Sequence, residues 1–285
     1  MGRARTIQIY LPSGDPRGLR IAELTTSIVR VVEVPRALLP DFLQMPESKQ
    51  VGLYILYGVG EVGSEGTAYI GQSGIVGDRL AQQNVDKDFW TKALVVVSLT
   101  NNFTNTHALY LEWSSIKAAA EAGRYRLQNG NAGSKPYTPA PLQADCEDVH
   151  ETARTLLATL GCPIFEPVAA TPDDTKPVEL FYCTSSGVDG TGEYTSEGFV
   201  VLKGSKGKIE NRPSIAGTAD QRFRERLVCD GVMIEQNGML VFTRDHLFGS
   251  PSMAAVSLLG TTANGWLVWK SADGKTLHDL KRNNV

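Results

Sequence analysis

The 285-residue sequence is short of several features that mark common functional classes. It has four cysteines, Cys146, Cys162, Cys183 and Cys229, none in a CxxC pair, and no histidine falls at zinc-finger spacing. A disulfide framework and a structural zinc site are therefore excluded, and free thiols of a reducing cytoplasm are expected. Nowhere is there an apolar run of the ~20 residues needed to cross a bilayer, so no membrane association is expected. The first residues, MGRARTIQIY, lack an apolar signal core, which argues against secretion. No GxGxxG or GxxxxGK[ST] loop is present, which removes the usual dinucleotide and P-loop readings, and no fixed-period repeat is found.

Charge of either sign is modest overall, at a formal net of −3, but unevenly placed. Residues 1–48 and 49–135 are each +1, residues 136–198 are −9 and residues 199–285 are +4. The acidic 136–198 segment offers a surface to a basic partner protein or a plain solvated face. The basic C-terminal part is compatible with nucleic acid but too weakly charged to establish it.

The pattern predicts an α+β chain. Strand-like runs RTIQIYL and SIVRVVEV flank the turn-rich SGDPRGLRIAEL, giving a β-rich N-terminal segment over 1–48. Residues 36–46 read as a short helix interrupted by Pro40. From residue 49 to 133, β, β, α, β, α describes a compact three-stranded sheet with helices. Its parts are a hairpin over 51–57 and 67–71, a helix in SGIVGDRLAQQN with Ser73 as N-cap, a buried strand ALVVVSLT, and a helix closed by Gly123. Residues 134–190 read as linkers, NAGSKPYTPAPLQ and TPDDTKP, around an amphipathic helix closed by Gly161. From 191 to 285, strands GFVVLKG, MLVFT and WLVWK alternate with helices QRFRERLVCDG and SPSMAAVSLLG. The second of these is capped by Ser250, with Pro251 in its first turn and Gly260 at its end.

The chemistry centres on VGLYILYGVGEVGSEGTAYIGQS, residues 51–73. Gly52 and Gly71 keep the backbone bare beside Tyr54 and Tyr69, permitting close approach of a substrate backbone. Arg79 lies eight residues after Gly71, on the next helix. At 100° per residue, Glu112 falls amid Ala108, Ser115, Ile116 and Ala119, on the face that should meet the sheet. A carboxylate there calls for a partner, which could be an arginine, backbone donors or a metal ion. Two phenols, a guanidinium and a carboxylate suit phosphodiester chemistry. His107 falls on the other side of that helix, as a helix-start or surface residue.

The set Gly52-Leu53-Tyr54, Tyr69-Ile70-Gly71, Arg79 and Glu112 resembles the GIY-YIG nuclease family over roughly residues 50–133. The resemblance implies a DNA endonuclease in which Glu112 binds one Mg²⁺ or Mn²⁺ and Arg79 stabilises the phosphate. Tyr54 activates or positions water, its pKa lowered by Arg79 or the metal, and Tyr69 supports the phosphate or nucleophile. Asn129, with Asn131 as its near rival, closes the site. Many members carry a histidine one turn after the arginine, where this chain has Gln83, which cannot act as a base. One centre cuts one strand per visit, so duplex cleavage calls for a homodimer or two sequential nicks. Loss of turnover would leave a DNA-binding reader with the nuclease fold.

The C-terminal stretch from DGVM through SPSMAAVSLLG to NGWLVWKSADGKTL resembles the DUF4357 domain, which occurs attached to nucleases and restriction-type proteins. That company implies a DNA-engaging accessory domain and a role in restriction or defence against foreign DNA. Ser250 and Ser252 could hold a phosphate at a helix N-terminus, or cap it. Trp266 and Trp269, three apart on an expected strand, would face opposite sides of the sheet. The leader LPSGDPRGLRIAEL resembles segments found ahead of GIY-YIG domains in multidomain bacterial proteins.

Overall fold

The computed structural model describes residues 4–58, 66–169, 178–185 and 187–283. The Gly/Glu/Ser loop at 59–65 and the connection at 171–177 lie outside the described residues. The rest forms two compact units, one within 4–166 and one within 167–283, and each is α+β.

In the first unit, β1 (Ile7–Tyr10), β2 (Arg20–Leu24) and β3 (Val29–Pro35) precede α1 (Leu39–Leu43). Then follow β4 (Gly52–Gly58), β5 (Gly66–Ser73), α2 (Val76–Asp86), β6 (Lys92–Ser98), α3 (Asn105–Ala122), β7 (Tyr125–Leu127) and α4 (Ala140–Thr159). The expected three strands β5, β4 and β6 are the middle of a seven-stranded sheet, ordered β1-β2-β3-β6-β4-β5-β7. β3 pairs antiparallel with β6 over Val29–Pro35, so the N-terminal segment is part of the sheet. β2 was expected as connection. Its RIAEL sequence alternates too weakly to announce a strand, and pairing on one side with β1 and on the other with β3 makes it one.

Strand alternation divides the core between the sheet's two faces. Leu53, Ile55 and Tyr57 pack with α3 and with α4 through Leu111, Ile116, Val149, Leu156 and Leu157. Tyr54 and Leu56 face the opposite layer with Val76, Leu80, Trp90 and Phe42. Trp90 is thus core, with the Arg36 guanidinium 4.8 Å from its ring centroid. α4 buries the apolar positions that its spacing marked, including Cys146 and Ala153, and contacts β2, β3 and α3, so it belongs to this unit's core. It turns Asp145, Glu147, Asp148 and Glu151 outward.

Two local readings change. Pro40 starts α1 in its first turn rather than interrupting a helix, because its missing N–H is not needed there. Ser73 ends β5 instead of capping α2: its Oγ accepts the Ile75 N–H at 3.1 Å, and Ile75 is the N-cap.

The second unit contains β8 (Leu180–Ser185), β9 (Val188–Tyr194), β10 (Phe199–Val201), β11 (Lys206–Gly207), α5 (Ala219–Cys229), β12 (Met233–Gln236), β13 (Met239–Phe242), β14 (His246–Phe248), α6 (Pro251–Leu259), α7 (Gly265–Val268) and α8 (Leu277–Lys281). Its sheet runs β12-β13-β11-β9-β10-β14, with β8 also on β9. The expected strand WLVWK is instead the helical turn α7, started by Asn264, whose Oδ1 accepts the Trp266 N–H at 3.1 Å. Asn264-Gly265, a pair that often forms a hairpin turn, serves here as a helix start. Trp269 enters the core, its Nε1 donating to the Pro251 carbonyl at 3.0 Å, while Trp266 is partly buried at the core's edge, beside Tyr194 and under Arg282. Among the described residues, no helix is long and apolar enough to cross a membrane.

Candidate active site

Register places Tyr54 of β4 directly opposite Gly71 of β5, and Leu56 opposite Tyr69. Both phenols therefore stand on one face, ring centroids 6.3 Å apart. Tyr54 is fully buried and its ring lies over Gly71: a Cβ added there would stand 2.4 Å from Oη. The bare backbone expected to admit a substrate at Gly71 is occupied by this phenol. At Gly52 it is occupied by β6, since a Cβ would stand 2.7 Å from the Val96 carbonyl oxygen. Both glycines serve close packing of the protein itself.

Arg79, in the first turns of α2, lies beside both phenols, and their proximity, Tyr54 first, holds its guanidinium more firmly protonated. One of its nitrogens donates to Gln82 Oε1 at 2.7 Å. The Tyr54 hydroxyl is buried without a hydrogen bond of good geometry despite this neighbour. Burial pushes the phenol up, Tyr69 adds to it, and Arg79 pulls down without offsetting them. The expected lowering of Tyr54 is therefore reversed in the protein alone: desolvation of a phenolate outweighs one half-solvated guanidinium.

Glu112 on α3 is half-buried, with its carboxylate beside the backbone N–H of Gln72, the residue after Gly71. Burial raises its pKa, while the Gln72 N–H and Arg79 pull it down. Asn129 completes the same edge of β5. It follows β7, which pairs in parallel with residues 66–68, and Gln128 continues that ladder by donating its N–H to the Ala68 carbonyl at 2.8 Å. The Asn129 side chain then takes the place of a strand residue: Oδ1 accepts the Ile70 N–H at 2.9 Å and Nδ2 donates to the Ile70 carbonyl at 2.8 Å. Asn131 instead makes a local turn to Gly133, which separates the two rival asparagines.

Tyr54, Tyr69, Arg79, Glu112 and Asn129 thus converge on residues 69–72 of β5. Gln83 joins them on α2 as a buried residue facing the core, its Oε1 without a partner. His107 starts α3: its Nδ1 accepts the Thr104 N–H at 3.0 Å in a capping box. Sequence reasoning missed Lys87, whose Nζ stands 4.3 Å from the Tyr69 ring centroid and 3.4 Å from Gln128 Oε1. It is the C-cap residue of α2, in extended conformation, so helical spacing from Arg79 does not reveal it.

The described residues contain no group of three or more His, Cys, Asp or Glu side chains able to cage a metal. Glu112 alone fits a different mode, in which Mg²⁺ or Mn²⁺ keeps most of its waters and takes one carboxylate plus substrate oxygens.

Ser250 and Ser252 stand in the second unit and have internal partners. Ser250 Oγ accepts the Met253 N–H at 3.2 Å, capping α6, and Ser252 Oγ accepts the Gly265 N–H at 3.1 Å. Part of the basic charge there is also turned inward: Arg224 is buried and donates to the Ser257 carbonyl at 3.0 Å and to Asn211 Oδ1.

No curated protein and no solved structure matches this chain. One family model does, and it covers none of the residues just described around β5. Residues 181–281 carry a domain of unknown function, DUF4357.

Proposed function

We infer that the first unit is a metal-dependent endonuclease that hydrolyses phosphodiester bonds in DNA. The observation that carries this reading is the convergence of two phenols, a guanidinium, a carboxylate and a bridging amide on four residues of one strand. A divalent ion on Glu112 would supply charge to the phosphoryl oxygens and acidify its bound water. Arg79, which reaches both phenols, would bind the phosphate and stabilise the charge that develops on it. Tyr54, kept protonated and fully buried, would act from beneath the site, holding Arg79 and the packing under Tyr69 in place rather than touching the nucleophile or removing a proton. Tyr69, only partly buried, presents its hydroxyl to the substrate under Lys87. Asn129 holds the Ile70 peptide, and with it the position of Tyr69 and Gly71.

DNA is the substrate that the basic C-terminal residues and the company of DUF4357 domains favour, and restriction of foreign DNA is the matching role. Cutting both strands would use a homodimer or two visits. The same burial of Tyr54, with Gln83 in place of a base, favours one second reading: a catalytically inactive DNA-binding reader that retains the fold. Nicking of supercoiled plasmid with Mg²⁺ or Mn²⁺ separates them. Turnover that Arg79→Ala abolishes supports the enzyme, whereas DNA binding without turnover supports the reader.

A further inference from the structure

β7 ends the sheet beside the candidate site, and its register decides which further side chains join that site. It pairs in parallel with β5, with Thr67 opposite Arg126 and Ala68 opposite Leu127. The bond from the Gln128 N–H to the Ala68 carbonyl brings Gln128 level with Tyr69. Paired residues project to the same face of a sheet, and every second residue of a strand returns to it. Arg126 and Gln128 therefore stand on the face that carries Thr67 and Tyr69, and both are exposed there.

Lys87 reaches the same place from α2. Its backbone is extended at the helix end, and its side chain crosses to β5, over the Tyr69 ring and against Gln128 Oε1. Ordering a lysine side chain costs much rotamer freedom, which one ring contact and one long hydrogen bond offset only in part. Among the described residues it has no carboxylate within ion-pair reach, and its near neighbour Asp88 turns to Arg36 at 3.4 Å instead. Arg126 makes no ion pair either, and Arg79 is turned to the two phenols and Gln82. Three cations thus form a row, from Arg79 at the phenols through Lys87 over Tyr69 to Arg126 beside Thr67. Glu112 stands at the Arg79 end of it. Positive charge held in a row without partners of its own suits a polyanionic backbone.

We propose that Lys87 and Arg126 bind the DNA backbone on one side of the scissile phosphate, carrying the strand from Arg79 across Tyr69 onto β7. Each contacts a phosphate oxygen. Tyr69 and Gln128 hold the Lys87 ammonium in place for its contact. Such contacts fix the path of the strand and read no sequence. The proposal rests on the reading of the first unit as one that engages DNA, and it applies to the enzyme and to the inactive reader alike.

The test measures binding of a fluorescent duplex oligonucleotide to the full chain, with Ca²⁺ present, by anisotropy over a series of KCl concentrations. Each neutralised phosphate contributes about 0.9 to the slope of log affinity against log salt. Lys87→Met and Arg126→Met should each lower that slope by about 1, and the double variant by about 2. Lys87→Arg should keep the wild-type slope. Lys117→Met removes the same charge from the exposed side of α3, where Lys117 pairs with Glu121, and should leave the slope unchanged. A Lys87 that merely steadies Tyr69 would lower the melting temperature of Lys87→Met without moving its slope, which overturns the proposal. Plasmid nicking by the same preparations with Mn²⁺ keeps the two readings apart. Nicking by wild type with an unaltered slope in the double variant defeats the backbone path alone. A lowered slope without nicking by wild type supports the path and removes the enzyme. A wild type that neither nicks nor binds DNA defeats both.

Discussion

The hydroxyl of Tyr54 sits against the Cα of Gly71, so close that a single added methyl at Gly71 would stand 2.4 Å from it. Tyr54 is fully buried and cannot swing away. Gly71→Ala therefore displaces the phenol or parts β4 from β5, costing about 1–3 kcal/mol by overpacking. Gly130→Ala, where a Cβ meets nothing within 4 Å, is the control and stays within about 0.5 kcal/mol of wild type. Urea denaturation of the three proteins checks this, and a Gly71→Ala protein as stable as the control would contradict the packing described.

Glu112 carries a pKa raised by burial, so the folded protein holds its proton more tightly than the unfolded chain does. Stability must then fall as pH rises from the ordinary carboxylate range through the raised value. With EDTA present, Glu112→Gln melts above wild type at pH 7 and converges with it near pH 4. The gain is small, because the side chain is half-solvated. A wild type that is the more stable of the two at pH 7 would mean that the carboxylate is paired rather than strained.

His150 on α4 packs against Phe165, ring centroids 4.7 Å apart, with its Nε2 buried, and this desolvation lowers its pKa from 6.5 to about 4. The unfolded chain takes up a proton near pH 6.5 that the folded protein refuses until about pH 4. Stability is lost across that window as pH falls. His150→Phe keeps the ring contact and removes this part of the pH dependence. The Arg154–Glu166 pair, which lowers the Glu166 pKa, adds an acid loss below pH 4.5 that both proteins share. Melting temperatures at pH 7 and 5 report the difference, and parallel curves for the two proteins would refute it.

In the second unit, a Cβ on Gly265 would stand 2.1 Å from the Pro251 carbonyl oxygen. That neighbour is backbone at the start of α6 and cannot yield cheaply, so Gly265→Ala costs about 3 kcal/mol or more. Ser250→Ala removes only a cap and costs about 1 kcal/mol. Hydrogen exchange should show both losses in residues 180–283 while α3 and α4 keep their protection. Equal effects of the two substitutions would contradict the assignment.

Legibility in the sequence followed the kind of signal. Helices with caps and clean periodicity, α3 with its Gly123 stop and α6 with Ser250, Pro251 and Gly260, could be read directly, because their determinants are local. That Tyr54 and Tyr69 share a face depends on the register of β4 against β5, which strand alternation alone does not supply. What sequence could not supply was pairing. RIAEL becomes β2 only between two other strands, and the expected three-stranded sheet becomes seven-stranded by pairing with the two N-terminal runs, β2 and β7. WLVWK is a short apolar run like a strand, but Asn264 starts a helical turn that puts Trp269 into the core. At the site, the sequence marked Asn129 only as one of two asparagines, and the bridge to both polar groups of Ile70 distinguishes it. Lys87 went unnoticed because a cation over a ring depends on tertiary contact.

The account turns on whether the residues gathered at β5 break phosphodiester bonds. The most direct measurement is nicking of supercoiled plasmid by the purified full chain with Mn²⁺, run beside Glu112→Ala and Tyr54→Phe. The account predicts metal-dependent nicking that Glu112→Ala abolishes and Tyr54→Phe lowers by about a hundredfold or more. Nicking that survives Glu112→Ala, or no nicking by a folded protein that still binds the plasmid, would contradict it.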